Sequence, residues 1–226
     1  MNAPGRSQAL PAARSAEGRP VSTPPLIHVV DDDDSMRSAL LLLLVEVGFE
    51  ARGYASTGEF LLQPVPDRPG CLVLDVQLPG PSGIDLQAAL QRQGILLPIV
   101  FLTGHASVAA SVTAMKAGAV DFLTKPVKRD TLLDAIQRAL GRDASQRAAQ
   151  DDADRLHRRF AALTARQRQV FDLVVAGRLN KQIADQLDIA ERTVKREREQ
   201  VMTKLDAHSV AELGRLAGLL QRAIAK

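Results

Sequence analysis

Between residues 26 and 140, short apolar runs alternate with helix-patterned segments, and that alternation constrains the fold more than any other feature of the chain. The runs fall at 27–30, 50–54, 71–74, 99–102 and 120–123. The patterns between and after them predict helices over 35–47, 57–62, 83–93, 107–117 and 129–140. Ser56 and Glu59 have capping-box spacing at the start of the second helix. Strands that alternate with helices build βαβ units, hence a parallel sheet with helices on both faces. Five such units fill one ordinary domain.

The rest of the chain has a different character. Residues 141–162 are mostly Ala, Gln, Arg and Asp. Such a segment forms a helix but buries little, so a helical linker and a flexible hinge both remain open. Beyond it only helical patterns occur. Thr164 opens a helix to Ala176, closed by Gly177. Asn180 opens a helix over 181–187, Ile189-Ala190 makes a short turn, and a longer helix covers 191–205. Ser209 caps a last helix over 210–223. Two helices joined by a short turn, the second longer and basic, form a helix-turn-helix pattern.

Charge divides the chain in the same way. The net charge of +3 conceals 10 Lys+Arg against 14 Asp+Glu over residues 26–143, and 15 against 8 over 155–226. The basic part is the candidate for binding a polyanion. No stretch approaches the length of a membrane-spanning helix, so no membrane partner is expected. The lone cysteine, Cys71, lies inside an apolar run. It excludes a disulfide framework and makes a reducing cytoplasm the default. Residues 1–25 are rich in Pro, Ala and Arg, lack the apolar core of a secretory signal, and are expected to form a disordered tail.

The strand ends carry the chemistry. Asp31 and Asp32 follow the first run, Asp75 the third, Thr103 the fourth and Lys125 the fifth. In a doubly wound sheet these ends share one edge, where open α/β sheets bind ligands. Magnesium takes oxygen ligands and keeps several waters. Asp32 and Asp75 fit as direct ligands, the Gln77 backbone carbonyl as a third, and Asp31 through water. Asp75 is the candidate nucleophile for an aspartyl phosphate. Lys125 would pair with the phosphoryl oxygens and the Thr103 hydroxyl would donate to them. Taken alone, four consecutive Asp also suit a solvated loop or a helix N-terminus, and Asp33 and Asp34 are expected to serve there. An aspartate-based phosphohydrolase would instead place its nucleophile after the first strand and would lack the basic helical part.

These residues resemble the receiver domain of two-component response regulators. The resemblance covers about residues 26–140 and includes Asp31-Asp32, the segment from Asp75 to Gly83, Thr103-Gly104-His105 and Lys125-Pro126. The segment from Ala114 to Phe122 looks like the FixJ-type subgroup. The resemblance implies a flavodoxin-like fold, a sensor histidine kinase as phosphoryl donor, Mg²⁺ dependence, and a switch in which Thr103 moves and Phe122 turns inward. One departure is Val127, where the subgroup usually has an aromatic beside the dimerisation surface.

In the helix over 191–205, Val194, Val201, Met202 and Leu205 form one apolar stripe. Arg192, Lys195, Arg196 and Glu199 share another face, able to enter a major groove. Arg198 and Lys204 on its flanks, and Lys181 before it, suit phosphate contacts. Residues 163–220 resemble the LuxR/NarL-type four-helix DNA-binding domain, carried by Leu163 to Val170, Asn180 to Ala184, Thr193-Val194-Lys195 and Val201 to Leu205. Thr193 joins the DNA-contact set on that resemblance. Two departures stand out: Ala190 replaces the usual Ser cap, at a cost of about 1 kcal/mol, and Glu197 stands where the family often has His. The expectation is a five-stranded parallel doubly wound receiver domain (26–140), a linker (141–162) and a small all-α helix-turn-helix domain (163–226). Such a chain is a phosphorylation-dependent transcription regulator, not an enzyme, that dimerises, binds promoter DNA and recruits RNA polymerase.

Overall fold

The computed structural model describes residues 24–104 and 108–224. Residues 1–23 of the expected tail, His105 and Ser107 lie outside the described residues. The chain divides into two compact units between Leu140 and Gly141.

In the first unit, β1 (Leu26–Val30), β2 (Glu50–Tyr54), β3 (Gly70–Asp75), β4 (Ile99–Thr103) and β5 (Asp121–Thr124) form one parallel sheet in the order β2-β1-β3-β4-β5. β1, β3 and β4 are buried along their whole length, which is why they read as unbroken apolar runs. Successive side chains point to opposite faces. Ile27, Val29, Cys71, Val73, Val100 and Leu102 pack with Leu40 and Leu44 of α1 (Asp34–Glu46) and with Leu132, Ala135, Ile136 and Ala139 of α5 (Arg129–Ala161). Val30, Leu72, Leu74 and Phe101 pack with Phe60 of α2 (Thr57–Leu61), Leu86 and Leu90 of α3 (Gly83–Arg92), and Ala114 of α4 (Val108–Lys116). Strand order reverses between β1 and β3, so a crevice opens at their C-terminal ends.

The expected element ends move by a residue or two, with one larger exception. The helix expected to stop at Leu140 continues to Ala161 as part of α5. Gly141 does not break it, because Ala, Gln and Arg around it are strong helix formers and a single glycine costs only about 1 kcal/mol. Pairs one turn apart support the exposed stretch: Arg147 to Asp143 at 2.8 Å, Gln150 to Asp154 at 3.0 Å, and Arg155 to Asp152 at 2.7 Å.

The second unit adds α6 (Ala165–Val175), α7 (Asn180–Leu187), α8 (Glu191–Leu205) and α9 (Val210–Ile224). Leu156 and Leu163 join Val170, Phe171, Val174, Ile183, Val194, Val201, Leu205, Leu213, Leu216 and Leu220 in its core. Thr164 caps α6 in a capping box with Gln167, and Ser209 accepts from the Glu212 amide at 3.1 Å at the start of α9. Asn180, expected to open α7 from outside, is its first helical residue. Its side-chain oxygen accepts from Arg198 of α8 at 3.0 Å, while the Leu179 amide donates to Gln182. α8 has no side-chain cap, as Ala190 dictates.

Candidate functional site

At the crevice, Lys125 Nζ lies 2.7 Å from Asp31 Oδ2 and 2.5 Å from Asp75 Oδ2. The other oxygen of each carboxylate accepts a backbone amide, from Asp33 to Asp31 Oδ1 at 3.0 Å and from Gln77 to Asp75 Oδ1 at 2.9 Å. Both carboxylates are thus aimed from two sides, and both are buried, at 1% and 6% exposure. Burial alone would pull the Lys125 ammonium down. The hydrogen bonds and charges of Asp31 and Asp75 outweigh it and hold Lys125 above its ordinary range, fully cationic.

Asp32 is exposed and completes a cluster in which one oxygen each from Asp31, Asp32 and Asp75 lie within 4.8 Å of one another. Three carboxylates converging at this span suit a hard, oxygen-seeking cation such as magnesium. The Gln77 side chain is exposed at the crevice mouth. Thr103 is fully buried at the end of β4, and its carbonyl accepts from the Lys125 amide at 2.7 Å. Phe122 is half-buried with its ring centroid 5.9 Å from that of Phe101. Asp33 caps α1, accepting from the Ser35 and Met36 amides, and Asp34 is in its first turn, so these two acids serve the helix as expected.

On α8, Val194, Val201 and Leu205 face the core and Met202 packs against it. Arg192, Lys195, Arg196 and Glu199 are exposed, as is Lys181 on α7, while Thr193 is half-buried. The remaining two expected contacts turn back into the protein. Arg198 holds Asn180, and Lys204 donates to the Ala162 carbonyl at 3.0 Å and to Gln167 Oε1 at 2.8 Å.

The family described as "Response regulator receiver domain" matches residues 27–137, and that described as "Bacterial regulatory proteins, luxR family" matches residues 161–217. Nodulation protein W of Bradyrhizobium diazoefficiens is 46% identical over 199 residues, covering 88% of each chain. The transcriptional regulatory protein FixJ of Azorhizobium caulinodans is 41% identical over 191 residues, covering 84% of this chain and 90% of its own. Among solved structures, the response regulator StyR matches with a TM-score of 0.75 and 44% identity over 87% of this chain and 99% of its own. Full-length FixJ from B. japonicum matches with a TM-score of 0.53 and 39% identity over 88% and 98%.

The chain belongs to the FixJ-like response regulators. It carries a receiver domain and a LuxR-type DNA-binding domain, the build of a phosphorylation-dependent transcription regulator. The structure gives three residues of this response regulator roles that the sequence alone did not assign. Arg37, on α1, donates to the Asp31 carbonyl at 2.6 Å and pairs with Asp34, bracing the acidic loop. Its position one turn into α1 was the available signal. Gly83 begins α3 so close to β3 that a Cβ there would sit 2.2 Å from the Asp75 carbonyl oxygen, so the glycine permits the approach that seats Asp75. Glu197 is buried on the apolar stripe of α8, where its spacing from Val194 and Val201 could have placed it. Among the described residues, no helix is long and apolar enough to cross a membrane.

Proposed function

We propose that Asp75 accepts a phosphoryl group from the phosphohistidine of a sensor histidine kinase. The observation that supports this best is the Lys125 ammonium bridging Asp31 and Asp75 at the sheet's switch point. An Asp75 oxygen forms the new O–P bond as the donor's P–N bond breaks and the imidazole leaves. Asp31, Asp32, Asp75 and the Gln77 carbonyl would hold magnesium, whose charge neutralises the transferring oxygens when it is bound. Lys125 exchanges a carboxylate partner for a phosphoryl oxygen. The Thr103 hydroxyl donates to another, and Phe122 repacks as the end of β4 shifts. The phosphorylated receiver, residues 26–140, dimerises, and the domains at 163–226, joined through the linker at 141–162, occupy two half-sites of promoter DNA in the cytoplasm. Arg192, Thr193, Lys195, Arg196 and Glu199 face the groove, with Arg196 on a base edge and Arg192 and Lys195 reaching phosphates alongside Lys181. Arg198 and Lys204 support the unit through their internal partners, and RNA polymerase is recruited. The regulator stores a phosphoryl group without turning over a substrate, so it is not an enzyme.

Incubation with acetyl phosphate and Mg²⁺ should shift the intact protein by one phosphoryl mass, and Asp75→Asn should abolish the shift. Full labelling of Asp75→Asn would assign the nucleophile elsewhere.

A further inference from the structure

Glu197 is 8% exposed, on the buried side of α8, the same helix that presents Arg192, Lys195 and Arg196. A carboxylate is costly to bury unless it is paired and hydrogen-bonded. Its two oxygens have different partners. Oε2 accepts from Gln167 Nε2 at 3.3 Å, and Oε1 accepts from Arg196 Nη2 at 3.1 Å. Gln167 is itself buried and fixed. Its Nε2 also donates to Gln200 Oε1 at 2.7 Å, and its Oε1 accepts from the Thr164 amide at 3.1 Å and Lys204 Nζ at 2.8 Å. The carboxylate is therefore anchored to α6 at one end and grips a solvent-facing guanidinium at the other. The Arg196 side chain is 68% exposed and that of Glu197 is 11% exposed. Neighbours at i, i+1 on a helix normally diverge. Here the long arginine folds back onto a fixed acid.

An apolar residue at this position would pack with Val194 and Val201 and avoid the desolvation, so stability does not explain the acid. Nor does Glu197 reach outward to read bases, as its burial shows. We propose that Glu197 is a positioning residue for Arg196, holding the guanidinium in the orientation in which it meets a base edge. Orienting the side chain before binding lowers the ordering cost of its base contact. It does nothing for a contact that any orientation can make with a phosphate. Glu197 thus contributes to sequence discrimination more than to affinity.

This rests on the reading that Arg196 meets a base edge, and the experiment separates the two. The probes are a duplex selected from a random-sequence pool by the full-length protein, phosphorylated with acetyl phosphate, and unselected duplex of the same length. E197Q should lower the ratio of selected to unselected affinity about tenfold, while affinity for unselected DNA stays level or rises as a negative charge is removed. In an R196A background, E197Q should leave the ratio where R196A put it. If E197Q moves both affinities by the same factor and R196A lowers the ratio, the positioning role is overturned while the base contact stands. If R196A leaves the ratio unchanged, both fail. Should E197Q melt early, E197M keeps the length and packing and carries the same expectations.

Discussion

His28 sits on β1, three residues before Asp31, with 3% of its surface exposed. Its Nδ1 lies 2.9 Å from the Tyr54 hydroxyl, and its ring meets the Phe60 ring at 5.4 Å, nearly perpendicular. Burial, with smaller contributions from the Arg52 and Arg68 charges, lowers its pKa from 6.5 to about 4. The native receiver therefore keeps His28 neutral where the unfolded chain protonates it. Above pH 6.5 neither state binds the proton and nothing is lost. Between pH 6.5 and 4 the unfolded state gains, and the receiver should lose up to about 3 kcal/mol from this group. Urea unfolding at pH 7 and pH 5 should show a smaller drop for His28→Gln than for the parent, and equal drops would remove His28 as the cause. The crevice residues were legible because each polar group interrupts an apolar run at a strand end, where topology leaves one destination. His28 and Glu197 were not so placed. A polar residue is taken as surface until packing shows what covers it, and that packing is assembled from elements distant in sequence.

Helix ends are set by a few residues, and α7 and α8 end on aspartates where a glycine would be expected. Asp188 has φ 51° and Asp206 φ 57°, both left-handed. Aspartate tolerates this region better than most residues, but glycine enters it without strain. Asp188→Gly should therefore stabilise the helix-turn-helix unit by about 0.5–1 kcal/mol, and Asp188→Ala should not. Thermal unfolding of the two variants against the parent measures it, and a lower melting temperature for the glycine variant would mean that the aspartate side chain supports the turn. These caps escape a search for glycine at helix ends, and the unbroken 33-residue length of α5 escapes a search for an apolar stripe, although the composition of residues 141–162 already pointed to helix. Its middle buries little, so periodicity is silent there and only the helix propensity of Ala, Gln and Arg speaks. The strands were legible for the opposite reason. A parallel strand covered on both faces must be apolar throughout, and the two cores of the receiver impose that on β1, β3 and β4.

Across the whole molecule the charge division sets how DNA binding depends on salt. The receiver carries net −4 over residues 26–143, a charge that repels a phosphate backbone, while residues 155–226 carry net +7. Not all of that charge is available. Lys204 is committed to the Ala162 carbonyl and Gln167, and Arg198 to Asn180. Lys181 on α7 and Arg192, Lys195 and Arg196 on α8 remain exposed. With Arg196 on a base, three cations per copy meet phosphates, or about six for a bound pair. Each neutralised phosphate contributes about −0.9 to the slope of log K against log salt, so a pair should give a slope near −5 and a single copy about half that. Lys181→Gln should reduce the slope for the pair by about 2, because each copy then neutralises one phosphate fewer. Lys204→Gln should leave the slope alone and lower thermal stability instead, because its ammonium closes α5 onto α6 and α8. Titrations of a fluorescent promoter duplex across a salt series decide between these outcomes. An equal fall in slope for Lys181→Gln and Lys204→Gln would show that Lys204 abandons its internal partners to reach a phosphate when DNA arrives.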